Sequence, residues 1–507
     1  MGRMSEKQHK AEHRSRPAGG PFKAFMRESW APRDTTLPGL TEAARYAAAR
    51  RELLSAAYPG ERLVVPAGGL KIRSNDTDYV FRPHSAFAHL TGLGADREPD
   101  AVLVLEPRED GGGHEACLYF LPLADRDSEE FFADSRVGEF WIGSRPTLQS
   151  AASELGLTTR HLSELESAVA KDVGQGGVSL RVVRDADRET AQLVDRVREQ
   201  AGLAGEESVQ AAQEQDLALA RALSTQRLVK DEWEVRQMEE AVAATATAFD
   251  AVVEQLPEAV RRGRGERWVE GVFGLHARHA GNGVGYDSIC ASGEHATTLH
   301  WTRNTGEVRE GELLLLDAGV ETDSLYTADV TRTIPVSGEF SPAQRRVYDA
   351  VLEAQEAGIA AARPGNRFKD VHAAAIEVIA RRLLEWGLLP DGVTLEQTLD
   401  AEEGQFHRRW MVHGTSHHLG IDVHDCALAL REDYLDGELR EGMILTVEPG
   451  LYFKSDDLLV PEELRGIGVR IEDDIVITAD GARNLSDMLP RTADEVEAWV
   501  RAGGRRG

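Results

Sequence analysis

Residues 313–333 carry the sequence LLLLDAGVETDSLYTADVTRT, which decides the fold of the second half of the chain. The apolar run 313–316 is typical of a buried strand, and residues 326–333 are rich in Tyr, Thr and Val, which favour strands. A short polar segment separates them, so the pattern predicts a hairpin that turns near Asp323. Asp317 and Asp329 are symmetric about that residue and are predicted to face each other, with Cβ atoms about 5 Å apart.

Two carboxylates at that separation repel each other. Two arrangements relieve the repulsion, because one carboxyl group can keep its proton or a cation can lie between the two. The hairpin alone leaves both arrangements open, and the rest of the sequence decides between them.

The composition of the chain excludes several classes of partner. The 507 residues include 58 Lys and Arg against 86 Asp and Glu, a formal net charge of −28. This charge argues against nucleic acid and against an anionic membrane surface. No apolar run approaches the ~20 residues of a membrane span, and the first residues lack the apolar core of a signal peptide. Three widely separated cysteines, Cys117, Cys290 and Cys426, favour a reducing, cytoplasmic location.

The order of predicted elements divides the chain into five parts. Residues 1–37 are polar and predict a mobile tail, although aromatic residues near its end could pack on a domain. Residues 38–185 mix a helix (41–58) with short strands (63–65, 101–105, 117–121 and 178–183), as in a smaller α/β domain. Residues 186–229 are Ala-rich and typical of a helical linker. Residues 230–495 form the larger domain, and residues 496–507 a C-terminal tail.

The larger domain is predicted to open with an amphipathic helix. Side chains that can pack recur at spacings of three and four along one face: Met238, Val242, Thr245, Phe249, Val252 and Leu256. Further strands are predicted at residues 443–448 and 469–478.

The densest group of chemically active residues lies further along the chain. Four of the sixteen histidines fall within twelve residues, at His413, His417, His418 and His424. Downstream, Glu448 is predicted to end one strand, and Arg470 and Glu472 to share one face of another. Taken singly each residue is ordinary, since an Asp beside a turn is usually a cap and a lone His usually lies on the surface or in the core. Their coincidence within one domain favours a site.

Four carboxylates and one imidazole suit two divalent cations, because four negative charges match two dications. Oxygen ligands favour Mn²⁺ or Mg²⁺, and a histidine ligand also admits Co²⁺ or Zn²⁺. A water molecule between two such ions ionises near neutral pH and attacks a carbonyl carbon, which is the chemistry of a two-metal hydrolase.

Five short stretches resemble, in the same order, those of the aminopeptidase P enzymes of the pita-bread metallopeptidase family: Asp317-Ala-Gly, Ala328-Asp329-Val-Thr-Arg, His413-Gly-Thr-Ser-His417, Glu448-Pro-Gly and Arg470-Ile-Glu472. The family also includes prolidase and methionine aminopeptidase. The resemblance covers roughly residues 40–495. It implies an α+β chain with a C-terminal pita-bread (creatinase/aminopeptidase) catalytic domain preceded by a smaller α/β N-terminal domain.

The resemblance also implies a set of metal ligands. Asp317 is expected to bind one metal, and Asp329 and Glu472 to bridge both. His417 and Glu448 are expected to complete the other. The implied cofactors are two divalent ions, Mn²⁺ in the first place, with Co²⁺ or Zn²⁺ as alternatives.

Catalytic and substrate-binding roles follow from the same resemblance. His300 is expected to bind substrate and stabilise the transition state, and His413 and His424 to flank the scissile bond. Arg470 is expected to orient active-site carboxylates and contact substrate. Glu448 is expected to pass a proton to the leaving proline nitrogen.

Residues 79–92, YVFRPHSAFAHLTG, resemble the N-terminal domain of aminopeptidase P, which methionine aminopeptidases lack. The resemblance implies that the substrates are peptides with proline in second position, and that the chain forms a homodimer or homotetramer. Two alternatives remain open: a prolidase restricted to Xaa-Pro dipeptides, and a non-catalytic pita-bread module that binds peptides. The sequence leaves open the native metal, the preferred first residue, the choice of dimer or tetramer, and the role of the tail.

Overall fold

The computed structural model describes residues 19–75 and 77–505. The chain divides into two compact units, residues 1–220 and 221–507. The expectation of a mobile tail over residues 1–18 lies outside the described residues. Among the described helices, none is both long and apolar enough to cross a membrane.

The first unit is built on strands and mostly short helices. Its strands are β1 (Glu61–Pro66), β2 (Ile72–Ser74), β3 (Thr77–Asp78), β4 (Val102–Pro107), β5 (His114–Phe120), β6 (Thr158–His161) and β7 (Ser179–Val182). Its helices are Gly20–Arg27, Glu42–Ala57, Ser85–Thr91, Glu130–Ala133, Glu139–Ile142, Leu148–Leu155, Leu165–Ala170 and Arg188–Gln200, and helix Glu206–Gln226 continues past its end. Five strands form one sheet in the order β6-β5-β4-β1-β7, in which β1 pairs antiparallel with β4 and parallel with β7.

The four strands and the first helix predicted in this unit are confirmed, and the prediction misses three short strands, β2, β3 and β6. The four expected strands correspond to β1, β4, β5 and β7. The expected first helix runs over Glu42–Ala57 because the Thr41 hydroxyl accepts a hydrogen bond from the Ala44 amide at 3.2 Å. Strand β6 has the sequence TTRH, which lacks the apolar alternation of a half-buried strand and therefore does not predict one.

Two segments near the ends of this unit lie outside the predicted domain bounds 38–185. Helix Arg188–Gln200, expected in a linker, packs Leu193, Val194 and Val197 into the core of the first unit and is part of that unit. In the described end of the predicted tail, residues 19–37, Trp30 makes an aromatic contact of the kind that the sequence allowed. The Trp30 ring meets Phe131 edge to face at 5.5 Å, since aromatic side chains in a polar segment still gain from leaving water.

The second unit mixes long helices with short sheets. Its strands are β8 (Gly283–Val284), β9 (Ile289–Ser292), β10 (Leu313–Ala318), β11 (Val320–Glu321), β12 (Val330–Pro335), β13 (Ile444–Val447), β14 (Gly450–Tyr452), β15 (Gly468–Arg470), β16 (Asp473–Ile477) and β17 (Ala482–Asn484). Its helices are Glu232–Glu254, Leu256–Arg261, Gly265–Ala280, Pro342–Ala361, Phe368–Glu385, Leu395–Leu399, Arg431–Tyr434 and Ala493–Arg501. The sheets are β12-β10-β9, β13-β16-β17, β14-β15 and β11-β8.

The predicted amphipathic helix is confirmed over Glu232–Glu254. All six side chains of the predicted stripe are buried, although Leu256 belongs to the next short helix. Asp231 and Glu234 cap the first turn reciprocally, which fixes where the helix begins.

The predicted hairpin forms, but its register differs from the expectation. In the β10–β12 ladder Asp317 lies opposite Thr331, and Ala318 lies opposite Val330. The turn is therefore centred on Ser324 instead of Asp323, because Leu325 adopts a left-handed conformation (φ 76°). When the centre of the hairpin moves by one residue, the residue that pairs with each position of β10 changes by two. Asp329 thus lies just before β12, diagonal to Asp317 instead of directly opposite it.

The strand expected over residues 469–478 is divided into β15 and β16. Between them the Glu472 amide donates to the Thr331 carbonyl at 3.1 Å, which links this segment to the hairpin. Val469 and Ile471 still point into the core, whereas Arg470 and Glu472 face the other way, as expected.

A helix crosses residue 496, where the C-terminal tail is predicted to begin. Helix Ala493–Arg501 buries Val496 and Trp499, and the Trp499 indole donates to Asp250 at 2.9 Å. Val496 and Trp499 are only two apolar residues spaced three apart, and so short a pattern does not predict that the helix packs against the domain.

Candidate metal centre and active site

Three predicted ligands form a compact group in the second unit. One ligand atom from each of Asp329, His417 and Glu472 lies within 4.8 Å of the other two. The His417 Nε2 atom is 3.2 Å from Asp329 Oδ2. Asp329 precedes β12, and Glu472 lies in the break between β15 and β16, so the bent strand and the hairpin bring the two carboxylates together.

Asp317, at the end of β10, joins this group through a tyrosine. The Tyr286 hydroxyl lies 2.7 Å from Asp317 Oδ1 and also hydrogen-bonds to Asp329 Oδ1. The other oxygen of Asp317 forms an ion pair with Arg470. The sequence missed Tyr286, because a single tyrosine in a loop forms no pattern that distinguishes it.

Glu448 follows β13 and lies between two histidines. Its Oε1 atom is 3.8 Å from His417 Nε2, and its Oε2 atom is 3.6 Å from His413 Nδ1. The Nε2 atom of His413 is 2.7 Å from the hydroxyl of Tyr452, which also accepts a hydrogen bond from Arg470 at 3.0 Å. Tyr452 is thus a second residue at the site that sequence reasoning missed.

The remaining predicted residues lie at the solvent side of the group. The His424 ring meets the His417 ring at a centroid distance of 4.3 Å, and both His424 and His300 are exposed. His300 is close enough that its charge contributes to lowering the pKa of both His413 and His424. His418, left out of the predicted site, is buried and stacks on Phe368 instead.

The electrostatics of the site follow from burial and crowding. Burial raises the pKa of Glu448 to about 8, and burial together with Asp329 raises that of Glu472 well above its ordinary value. Burial acts to lower the pKa of His417, but its hydrogen bond to Asp329, together with the charges of Asp329 and Glu448, outweighs burial and raises this pKa. Burial and the charge of Arg470 lower the pKa of His413 to about 3.

This donor set fits two divalent cations. Burial in the first place, and neighbouring carboxylates in the second, raise the pKa of Asp317, Glu448 and Glu472. Four carboxylates (Asp317, Asp329, Glu448 and Glu472) share the site with a single guanidinium group, which leaves an excess of negative charge. Divalent cations bound by carboxylate oxygens would remove that excess, and an imidazole nitrogen is an ordinary further ligand. The fold and this set of ligand side chains together define the class of protein, which is a metal-dependent hydrolase.

Within the metal-dependent hydrolases, the chain is similar to one family of peptidases. Residues 236–479 match the model of metallopeptidase family M24, and residues 46–179 match that of the aminopeptidase P N-terminal domain. Xaa-Pro aminopeptidase 1 of Streptomyces coelicolor is 52% identical over 481 residues, which is 94% of this chain and 91% of the relative. The Xaa-Pro aminopeptidase of Escherichia coli is 33% identical, covering 90% of this chain and 97% of the relative.

A solved structure of aminopeptidase P from E. coli superposes with a TM-score of 0.77 at 31% identity, covering 91% of this chain and 98% of that one. The chain belongs to metallopeptidase family M24, among its Xaa-Pro aminopeptidases.

Proposed function

We propose that this chain hydrolyses the bond between an N-terminal residue and a following proline, using two divalent metal ions. It is a metal-dependent aminopeptidase, as its family and relatives indicate. The observation that carries the dinuclear detail is the convergence of Asp329, His417 and Glu472 within 4.8 Å, with Asp317 and Glu448 beside them.

The proposed ligands are the five residues Asp317, Asp329, His417, Glu448 and Glu472. When bound, the ions supply a water nucleophile at neutral pH and polarise the peptide carbonyl. We propose Mn²⁺ for both, because oxygen ligands outnumber nitrogen ligands four to one, with Co²⁺ or Zn²⁺ as alternatives. Arg470 holds Asp317 in place through their ion pair and contributes to substrate binding.

The histidines and Glu448 act on the peptide. His413, whose Nε2 is fixed by the Tyr452 hydroxyl, and His424 flank the scissile bond, and His300 contacts the carbonyl oxygen. A proline leaving group departs as a secondary amine and needs a proton at its nitrogen. Glu448 is placed to deliver it, since its carboxylate lies between His413 and His417.

Three broader properties of the protein belong to the same proposal. The exposed apolar side chains Phe140, Trp141 and Ile142 suit a homodimer or homotetramer. Three free, buried cysteines suit a cytoplasmic location. The two family matches support an N-terminal domain over residues 38–185 and a catalytic domain over residues 230–495.

The test compares a dipeptide Xaa-Pro with a longer Xaa-Pro peptide and an Xaa-Ala peptide of equal length, with Mn²⁺ or with chelator. Release of the first residue from the longer Xaa-Pro peptide, only with metal, is expected. Cleavage of the dipeptide alone would instead identify a prolidase.

Asp317→Asn is expected to abolish turnover. Asp323→Asn, an exposed aspartate in the same hairpin, is the matched control and is expected to keep full activity. Full activity in Asp317→Asn would refute the proposed ligand set.

A further inference from the structure

Glu266 is a fully buried carboxylate outside the metal centre. It lies in the first turn of helix Gly265–Ala280, and 0% of its surface is exposed. Its two oxygens accept four hydrogen bonds, from the Ser292 amide (2.9 Å), His295 Nδ1 (2.7 Å), the Trp301 indole (2.9 Å) and the Gly306 amide (2.5 Å). A carboxylate with this many donors is strongly held, because each bond is charge-assisted.

These four donors surround the segment that carries His300. Ser292 ends β9, His295 lies in the 3-10 turn after it, and Trp301 directly follows His300. The Trp301 ring stacks on the His295 ring at a centroid distance of 3.9 Å. The same indole packs against a buried apolar cluster that includes Leu315 of β10, two residues before Asp317.

A second buried side chain fixes the far end of the same loop. Asn304 accepts a hydrogen bond from the Cys290 amide at 3.0 Å and donates to the Ser288 carbonyl at 2.9 Å. A side chain at Gly306 would displace the Glu266 carboxyl group, because its Cβ atom would lie 2.8 Å from that group. His300 is thus an exposed side chain on a loop that His295, Trp301, Asn304 and Gly306 bond to the core on both sides of it.

We propose that Glu266 is a positioning residue that acts on the substrate through His300. This inference rests on the proposed function, in which His300 contacts the peptide carbonyl. Replacing the carboxylate by an amide leaves one acceptor oxygen and introduces an N–H group that faces N–H donors. The N–H group replaces either the oxygen that accepts from Ser292 and His295 or the oxygen that accepts from Trp301 and Gly306. Two contacts of the loop are lost in either case, and with them the fixed geometry on which His300 depends.

A double-mutant cycle tests this role. Glu266→Gln is expected to lower kcat/KM for a longer Xaa-Pro peptide by at least about tenfold, because small misplacements of a contacting group are costly. In a His300→Ala background the same change is expected to cost less than about twofold, since its effect passes through His300. Glu266→Gln and His300→Ala should also divide their losses between kcat and KM in the same way.

Glu270→Gln is the matched control. Glu270 lies one turn further along the same helix, partly exposed, with Arg267 at 3.6 Å. It is expected to keep activity within about twofold of the unmodified enzyme. Wild-type activity in Glu266→Gln, or losses that multiply in the double variant, would overturn the proposal.

Trp301→Phe covers the case in which Glu266→Gln does not fold. It removes only the indole N–H bond to Glu266 while keeping an aromatic ring beside His295. A loss of kcat/KM that disappears in the His300→Ala background supports the proposal, and a loss that persists there overturns it. An unmodified enzyme without activity on any Xaa-Pro peptide would refute the proposed function, which keeps the two failures distinct.

Discussion

The hydroxyl group of Tyr286 is within hydrogen-bonding distance of two carboxylates. It bonds to Asp317 and to Asp329, and burial together with these two charges raises its pKa well above the ordinary value. The phenol therefore stays protonated, so its O–H group can donate to one of the carboxylates. It ties together two proposed ligands that lie diagonally in the hairpin.

Tyr286→Phe is expected to weaken Mn²⁺ binding about tenfold, because groups that orient metal ligands typically contribute that much. Titration of the metal-free protein with Mn²⁺ measures the effect. Tyr79→Phe, at an exposed tyrosine of the first unit, is the control and should leave the affinity unchanged. Equal affinities in all three proteins would show that Tyr286 does not orient these ligands.

His407 gives the fold a pH dependence that is independent of the metal centre. Burial and the charges of Arg408 and His372 lower its pKa from 6.5 to about 4. Between these values the unfolded chain binds more protons than the folded chain. Its contribution to stability is therefore present above pH 6.5 and lost as the pH falls towards 4.

His407→Gln is expected to reduce the fall in unfolding free energy between pH 7 and pH 5, since the neutral amide does not titrate. Urea unfolding at both pH values provides the measurement. His279→Gln, at an exposed histidine, should leave the fall unchanged. An identical fall in His407→Gln would contradict the assignment.

At the scale of elements, a cluster of buried charged side chains lies next to the histidine-rich segment 413–424 and fixes its backbone. Asp425 directly follows His424, accepts from Arg227 at 2.9 Å, and lies 3.6 Å from Lys230. All three side chains are buried, and the Asp425 amide donates to the His418 carbonyl at 2.9 Å. One carboxylate thus neutralises two cations and fixes the backbone beside the site.

Asp425→Asn is expected to lower the unfolding free energy by about 3–5 kcal/mol, because it removes the carboxylate that two buried cations share and leaves Arg227 only Asp422, at 4.0 Å. Chemical denaturation measures it. Glu239→Gln removes an exposed partner of Arg483 and should cost less than about 1 kcal/mol. A similar small loss in both variants would show that the buried cluster contributes no more than a surface pair.

The sequence predicts where the strands and helices around the site lie more accurately than it predicts which residues pair across the hairpin. The proposed ligands and the strands that carry them follow local patterns, so Asp317 and Glu448 as candidates, and the buried stripe of helix Glu232–Glu254, could be predicted from the sequence. The hairpin register could not, because it depends on the left-handed conformation of Leu325, a residue that rarely adopts it. Tyr286 reaches the carboxylates from a distant loop, and only tertiary structure reveals such a contact.

At the scale of the whole molecule, the site concentrates negative charge in a chain that is already acidic. The net charge is −28, and four of the carboxylates share one buried site. Their repulsion opposes folding, and bound cations relieve it. Stability and metal binding are therefore linked in this protein.

Mn²⁺ is expected to raise the melting temperature, because an ion that binds only the folded state adds about 2.7 kcal/mol at a hundred times its Kd. Glu472→Gln should reduce this rise and leave the metal-free protein at least as stable, since one repelling charge is gone. Scanning calorimetry with and without Mn²⁺ makes both comparisons. Equal melting temperatures would contradict the linkage.

The most direct measurement is a titration of metal-stripped protein with Mn²⁺, in which release of the first residue from a longer Xaa-Pro peptide is followed. Activity should be absent with chelator, rise with added metal and saturate at two ions per chain, while Asp317→Asn stays inactive throughout. Full activity of the stripped protein in chelator, or of Asp317→Asn, would contradict a dinuclear Xaa-Pro aminopeptidase.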